Sequence, residues 1–265
     1  MALNLNWINV KNYSFNCVLL MERFQLRIIC TNRSSDYTYH LGVALKYNPA
    51  VAWYITHRLP EKKSFVEAVV GNAPNDLLPP QVRQSEVYVM ADAEDFVTYT
   101  DPSIMNVNCK YISNWNECRL LEMADFNDKI VLDIGSGSGR LAFAAATLAK
   151  EVYACEPVET LRNYLRNRSI QEGVHNVRVT DGFVASLPYP DNTFDIVMSG
   201  HVVGDDLDAE LAEMIRVVKK GGWIIDCPGE DTISADKELE KRGFEQLQYK
   251  GQFGDVYRYR KQIIK

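Results

Sequence analysis

The stretch Val131-Leu132-Asp133-Ile134-Gly135-Ser136-Gly137-Ser138-Gly139-Arg140 decides how this chain is read. Four residues of strand character run into three glycines at alternate positions, and the helical-looking run Leu141 to Lys150 follows. A tight strand-to-helix turn needs residues without a Cβ where the chain reverses and where a ligand must approach backbone. The helix beyond such a turn presents unpaired N–H groups to whatever sits above it. The stretch therefore points to a nucleotide site.

The spacing narrows the nucleotide. A dinucleotide fold uses G-x-G-x-x-G, with the third glycine packing close beside the pyrophosphate. Here Arg140 stands at that third position, counting from Gly135 and Gly137. Asp133 adds a carboxylate two residues before the first glycine, which repels phosphate but suits an ammonium group and hydroxyls. S-adenosylmethionine carries a sulfonium, an α-amino group and no phosphate.

The pieces downstream follow in order. Val152 to Pro157 reads as a second short strand ending in Glu156, about twenty residues past the first glycine, where doubly wound folds place an acid for ribose hydroxyls. Val177 to Thr180 reads as a third strand ending in Asp181-Gly182. The proline-punctuated run Leu187 to Thr193 leads into a fourth strand that ends at Ser199. Asp208 to Lys220 predicts a helix with the stripe Leu211, Met214, Ile215 and Val218, closed by Lys219, Lys220 and Gly221. Gly222 to Asp226 predicts a fifth strand. Ala235 to Arg242 looks helical, and Phe244 to Tyr249 with Val256 to Tyr259 predict a hairpin. In it, Tyr257 and Tyr259 alternate with Arg258 and Arg260, one covered face and one wet.

The series VLDIGSGSG, ACEP, the DG after the third strand, LPYPDNTFDIV and RVVKKGGWII resembles the class I S-adenosylmethionine-dependent methyltransferases, in particular the ubiquinone/menaquinone-biosynthesis group. The resemblance covers roughly residues 112–265. It implies an α/β fold: a Rossmann-like doubly wound sheet, mostly parallel, with an antiparallel C-terminal strand. It also implies a cofactor set. Asp133, Gly135, Ser136 and Gly137 would hold the methionine end, and Glu156 with Pro157 the ribose. Asp181 and Gly182 would read the adenine, and Ser199 would lie under the sulfonium. Tyr111 to Arg119 would form a pre-strand helix bordering the methionine, where Tyr111, Trp115 and Arg119 share a face and Arg119 could pair with the cofactor carboxylate.

Catalysis leaves a fainter trace. Methyl transfer from a sulfonium needs alignment above all, and a base only where the acceptor is protonated. Family members often carry a histidine pair beyond the fourth strand; Gly204 and Asp205 stand there in this chain. His201 with Asp205 and Asp206 is the acid–base cluster available, although Asp206 or Asp208 also suits the cap of the following helix. No Pro-Pro-Tyr acceptor motif follows the fourth strand, which reads Ser199-Gly200-His201-Val202.

A net charge of −6 counts against a nucleic-acid partner, which would call for a basic face. Six cysteines are scattered without a C-x-x-C pair or zinc spacing. No leader and no apolar run of membrane-crossing length is apparent, so a cytoplasmic location without membrane insertion is expected. Residues 1–110 carry no motif and read as a smaller N-terminal α+β domain, beside a methyltransferase domain over 111–265. Phe15 to Thr31, Glu86 to Met90 and Phe96 to Thr100 predict strands there, and Pro49 to Arg58 and Lys62 to Val70 predict helices. Such a domain would cover the acceptor or serve a homodimer. The functional expectation is methyl transfer to a small-molecule acceptor. The alternatives are a cofactor-binding regulatory protein without catalysis and a protein or RNA methyltransferase; Asp133 and Arg140 speak against a nicotinamide oxidoreductase.

Overall fold

The computed structural model describes residues 8–110, 114–229, 232, 234–251 and 254–264. The chain divides into two compact units, Met1–Asn108 and Cys109–Lys265.

The described residues of the first unit are helical throughout. Seven α-helices, α1 (Arg23–Ile29), α2 (Ser35–Tyr47), α3 (Pro49–Arg58), α4 (Lys63–Asn72), α5 (Pro79–Asp92), α6 (Glu94–Tyr99) and α7 (Pro102–Asn108), follow two short 3-10 turns. Their starts are written in local chemistry: the Ser34 side chain caps α2, and Pro49 and Pro79 open α3 and α5. The core is an aliphatic cluster that includes Leu26, Leu41, Leu45, Val51, Ile55 and Val89.

The expected α+β character of this unit is thereby corrected. Phe15 to Thr31 forms a 3-10 turn and α1, while Glu86 to Met90 lies in α5 and Phe96 to Thr100 in and just after α6. Around Arg23 to Ile29 the apolar residues alternate, but burial does not. Gln25, Leu26, Ile29 and Cys30 are buried whereas Ile28 is 43% exposed, a spacing of one helical turn. A capping box sets the start, with Gln25 Oε1 accepting from Glu22 N at 2.8 Å.

The second unit is a seven-stranded sheet in the order β3-β2-β1-β4-β5-β7-β6. Its strands are β1 (Ile130–Ile134), β2 (Glu151–Cys155), β3 (Val177–Thr180), β4 (Phe194–Ser199), β5 (Val218–Asp226), β6 (Glu245–Lys250) and β7 (Asp255–Gln262). All pairings from β3 to β5 are parallel, and β7 runs antiparallel between β5 and β6. The connecting helices are α8 (Cys118–Leu121), α9 (Arg140–Ala146), α10 (Glu159–Gln171), α11 (Leu207–Val217) and α12 (Lys237–Lys241). One core holds Val131 with Leu141, Ala142 and Leu165, and the other holds Leu132 and Ile134 with Leu211, Met214 and Val217. Alternation along β1 therefore turns Asp133 toward the α9 layer. The strand order reverses between β1 and β4, whose ends pair Ile134 with Ser199, and such a switch point opens a crevice at the carboxyl ends.

Several boundaries depart from expectation. Helix α11 ends at Val217, and Lys219, Lys220 and Gly221 belong to β5, where the register with β4 shifts and Gly221 takes φ +78°. The lysine pair marks a bulge rather than a helix end, and Lys219 Nζ bonds Asp195 Oδ1 at 2.8 Å. Helix α9 stops four residues before Lys150. Of the expected helix over Tyr111 to Arg119, Cys118 and Arg119 belong to α8, residues 114–117 are not helical, and Tyr111 lies outside the described residues. In β7 Arg258 is wholly buried, not wet, and Tyr259 on the opposite face is buried too, so the strand is covered on both faces there.

Candidate functional site

The turn after β1 depends on its glycines. Gly135, Gly137 and Gly139 take φ of +62°, +56° and +94°, a region L side chains enter at a cost. A Cβ on Gly135 would lie 2.3 Å from Val202 Cγ2, so the loop after β4 rests directly on this turn. Above Gly137 there is room, since a Cβ there would meet nothing nearer than Gly135 O at 4.0 Å. The turn is tied to β2: Gly135 N and Ser136 N both donate to Cys155 O, at 2.8 and 3.2 Å, and Ser136 Oγ donates to Asp133 O at 2.9 Å.

Glu156 closes the same turn from the end of β2. Its Oε2 accepts from Gly137 N at 2.8 Å and its Oε1 from Val158 N at 2.9 Å. Burial pushes its carboxyl up to about 7, against the lowering effect of those two donors and of Arg162. Asp133, also buried, is pushed up to about 7 by desolvation, and its Oδ2 has no hydrogen-bond partner. Arg162 gathers the next pieces with Nη1, donating to Glu156 O, Pro157 O and Asp181 Oδ1 at 2.9, 2.6 and 3.1 Å. Asp181 is otherwise exposed, and Gly182 packs where a Cβ would sit 2.8 Å from both Cys155 Sγ and Pro188 Cδ.

On the other side of β1, Ser199 Oγ donates to Asp226 Oδ1 at 2.9 Å, and both residues are buried. Desolvation raises the Asp226 carboxyl to about 6. His201 takes φ +64° and its Nε2 accepts from Gly229 N at 2.6 Å, which joins the loops after β4 and β5. Asp205 is exposed, while Asp206 caps α11 by accepting from Ala209 N at 3.3 Å.

The structure thus gathers Asp133, Gly135, Ser136, Gly137 and Glu156 around one turn, with Pro157, Asp181 and Gly182 linked to it through Arg162 and Cys155. Arg119 reaches the C-terminal hairpin. Its guanidinium donates to Lys250 O at 2.6 Å and lies 5.3 Å from the centre of the Tyr249 ring, both in the C-terminal hairpin.

Comparison with known families assigns this architecture. A model described as "Methyltransferase domain" matches residues 132–226. Residues 132–226 form a methyltransferase domain. S-adenosylmethionine is the cofactor of such class I domains, and the sheet has their mostly parallel arrangement. An S-adenosylmethionine-dependent methyltransferase from Aquifex aeolicus shares the fold at a TM-score of 0.50 and 20% identity, over 62% of this chain and 99% of that one. The uncharacterized methyltransferase YcgJ of Bacillus subtilis is 32% identical over 94 residues, 35% of this chain and 37% of that protein. The ubiquinone/menaquinone biosynthesis C-methyltransferase UbiE of Saccharophagus degradans is 31% identical over 147 residues, 51% of this chain and 59% of that protein. The chain spans from just over a third to about three fifths of the length of these curated relatives.

Two residues of the methyltransferase domain escape a motif reading. Glu210 is buried in α11 and accepts from Gly204 N at 2.7 Å and Asp206 N at 3.2 Å, so it shapes the loop that carries Asp205. Its signal is an acid four residues after the cap, pointing back along the first turn. Arg140 donates through Nη2 to Cys227 O and covers the Trp115 ring at 4.6 Å. Its signal is a cation directly behind the third glycine.

Proposed function

We propose that this chain transfers the methyl group of S-adenosylmethionine to a small-molecule acceptor. The observation that carries this reading is a buried Asp133 with an unpartnered oxygen, beside a glycine turn that is open above Gly137 and held by Glu156. Asp133, Gly135, Ser136 and Gly137 would hold the amino-acid end of the cofactor, and Glu156 and Pro157 its ribose. Asp181 and Gly182 would take the adenine edge, with the exposed ring of Phe183 alongside as an apolar surface. When bound, the cofactor supplies an electrophilic methyl on a sulfonium, and the protein's share is to align acceptor, methyl and sulfur and to exclude water.

Ser199 and Asp226 stand at the ends of β4 and β5, where the acceptor would approach. His201 and Asp205 are the acid–base groups of the loop after β4. With Nε2 already accepting from Gly229, His201 serves alignment before it serves proton removal at that atom. The names of the relatives make quinones and, through an arsenite methyltransferase of Aquipseudomonas alcaligenes, arsenite the first acceptors to try. The reading includes a cytoplasmic location and no nucleic-acid partner; no helix among the described residues is long and apolar enough to cross a membrane. Covering the acceptor or forming a homodimer are the roles that residues 1–110 bring to the same proposal.

The test is calorimetric titration with S-adenosylhomocysteine and with NAD, followed by transfer of a labelled methyl to a panel of acceptors. Binding of the thioether, indifference to NAD and label in a small-molecule product support the reading. A chain that binds neither, or NAD alone, refutes it, and binding without transfer to any acceptor favours a regulatory role.

A further inference from the structure

The last residues of β4 and β5 form a buried polar pair, with Ser199 Oγ donating to Asp226 Oδ1 at 2.9 Å. Among the described residues Asp226 Oδ2 accepts no hydrogen bond, and the residue is only 8% exposed. Alternation along β5 sets Asp226 with Ile224 on the α11 face of the sheet, opposite the face of Asp133, so it stands apart from the acids of the glycine turn. A carboxyl enclosed to this degree with one neutral donor is costly, and such groups concentrate at functional sites. His201 and Arg140 lower it and Asp236 raises it, yet neither cation bonds it. Arg140 Nη2 donates to Cys227 O with its guanidinium over the Trp115 ring. His201 Nε2 accepts from Gly229 N, and a ring in that form carries its hydrogen on Nδ1 and no charge. With a value of about 6, Asp226 is ionised at neutral pH.

A carboxylate at this place discriminates between acceptors by the charge they develop. With a neutral amine, the nitrogen lone pair forms the bond to the methyl carbon as the carbon–sulfur bond breaks, its electron pair staying on sulfur. The nitrogen becomes a cation, and one proton then passes to water. A carboxylate beside that nitrogen holds the charged form more strongly than the neutral one, so its effect grows toward the transition state. A hydroxyl acceptor turns toward an oxyanion instead, and a carboxylate beside it repels that charge. We propose that Asp226 sets the acceptor class as a primary or secondary amine, with Oδ2 accepting its N–H and opposing the charge that forms on nitrogen, while Ser199 holds Oδ1. This rests on the methyltransferase reading above, and it puts amines ahead of the quinones and arsenite that the names of the relatives suggest.

The probes are tyramine, benzylamine and cyclohexylamine, each set against its hydroxyl counterpart: tyrosol, benzyl alcohol and cyclohexanol. In calorimetric titrations of the full-length wild type saturated with S-adenosylhomocysteine, the amines are expected to bind at least about 10-fold more tightly than the alcohols. That arm needs no variant to fold. A labelled methyl is expected on the nitrogen of the amines, and in tyramine on the amine rather than the phenol. Asp226→Asn still offers one oxygen to Ser199 but carries no charge. It is expected to lower kcat for the amines about 100-fold with a smaller change in KM, while its binding of S-adenosylhomocysteine reports that it folds. The assignment is overturned if the alcohols bind within about twofold of the amines, if label goes only to oxygen, carbon, sulfur or arsenic acceptors, or if Asp226→Asn keeps kcat within about twofold. A wild type that binds S-adenosylhomocysteine but neither binds nor methylates any of the amines overturns it as well. A wild type that does not bind S-adenosylhomocysteine overturns the methyltransferase reading itself, a result distinct from the others.

Discussion

Replacing Glu156 by Gln isolates a conflict built into the glycine turn. The carboxyl sits among apolar strand ends with only two backbone N–H groups to satisfy it, and burial holds it neutral up to about 7 against an ordinary 4.5. A carboxyl whose native value is raised takes up a proton on folding. Its contribution to stability is therefore complete below about 4.5 and is lost as pH rises toward about 7. The interval corresponds to about 3 kcal/mol at full ionisation. Glutamine is neutral at every pH and still offers one oxygen to the two donors. Urea unfolding of the ligand-free protein between pH 4.5 and 7.5 is the assay. Relative to the wild type, Glu156→Gln should gain about 3 kcal/mol across that interval, whatever its offset at the acid end. Asp133 and Asp226 are raised in the same sense and steepen the wild-type curve; Asp226 cancels in the difference, whereas Asp133 is itself raised in part by the Glu156 charge, so its relief in Glu156→Gln adds to the gain in the same direction. A difference that stays constant with pH would refute the argument, because it would mean that Glu156 is as well solvated in the native state as in the unfolded one.

Three further outcomes can be checked by the same unfolding measurements. Gly135→Ala must adopt φ +62° with its methyl 2.3 Å from Val202, and should cost about 2–4 kcal/mol, partly recovered by adding Val202→Ala. Ser199→Ala removes the donor to a buried Asp226 and should cost about 1–3 kcal/mol, with the larger loss above pH 6, where that carboxyl ionises. Asp206→Ala removes the cap of α11 and should cost about 1 kcal/mol, whereas Asp205→Ala next to it, exposed and outside the cap, should stay within about 0.5 kcal/mol.

The second unit was readable because its signals are constraints on backbone. Three glycines at φ near +60° to +90°, an acid closing β2 and a proline-marked loop before β4 each answer a local demand of a parallel sheet, and they come in the order that the topology imposes. The first unit offers no such punctuation. Over seven residues a period of two and a period of 3.6 place several apolar residues alike, and at Arg23 to Ile29 the alternation suits a strand while the capping box of Glu22 and Gln25 decides for a helix. Site residues were legible in proportion to how near their partners lie in sequence. Asp133 and Glu156 belong to the turn itself. Arg140 entered the argument only as an obstacle to a pyrophosphate, since the carbonyl that orients it lies 87 residues away, and the Gly229 that occupies His201 is 28 residues off. No periodicity reports a contact across that span.

The place of β7 governs the order in which the second unit can be completed during synthesis. It lies between β5 and β6, although β6 precedes it in the chain, so β6 has no neighbour until the residues after it emerge. A nascent chain that has reached Lys250 carries an unpaired edge along Trp223–Asp226, the part of β5 that β7 will cover. That edge is a template for any other strand. The interval before β7 arrives is thus when this unit is most exposed to mispairing.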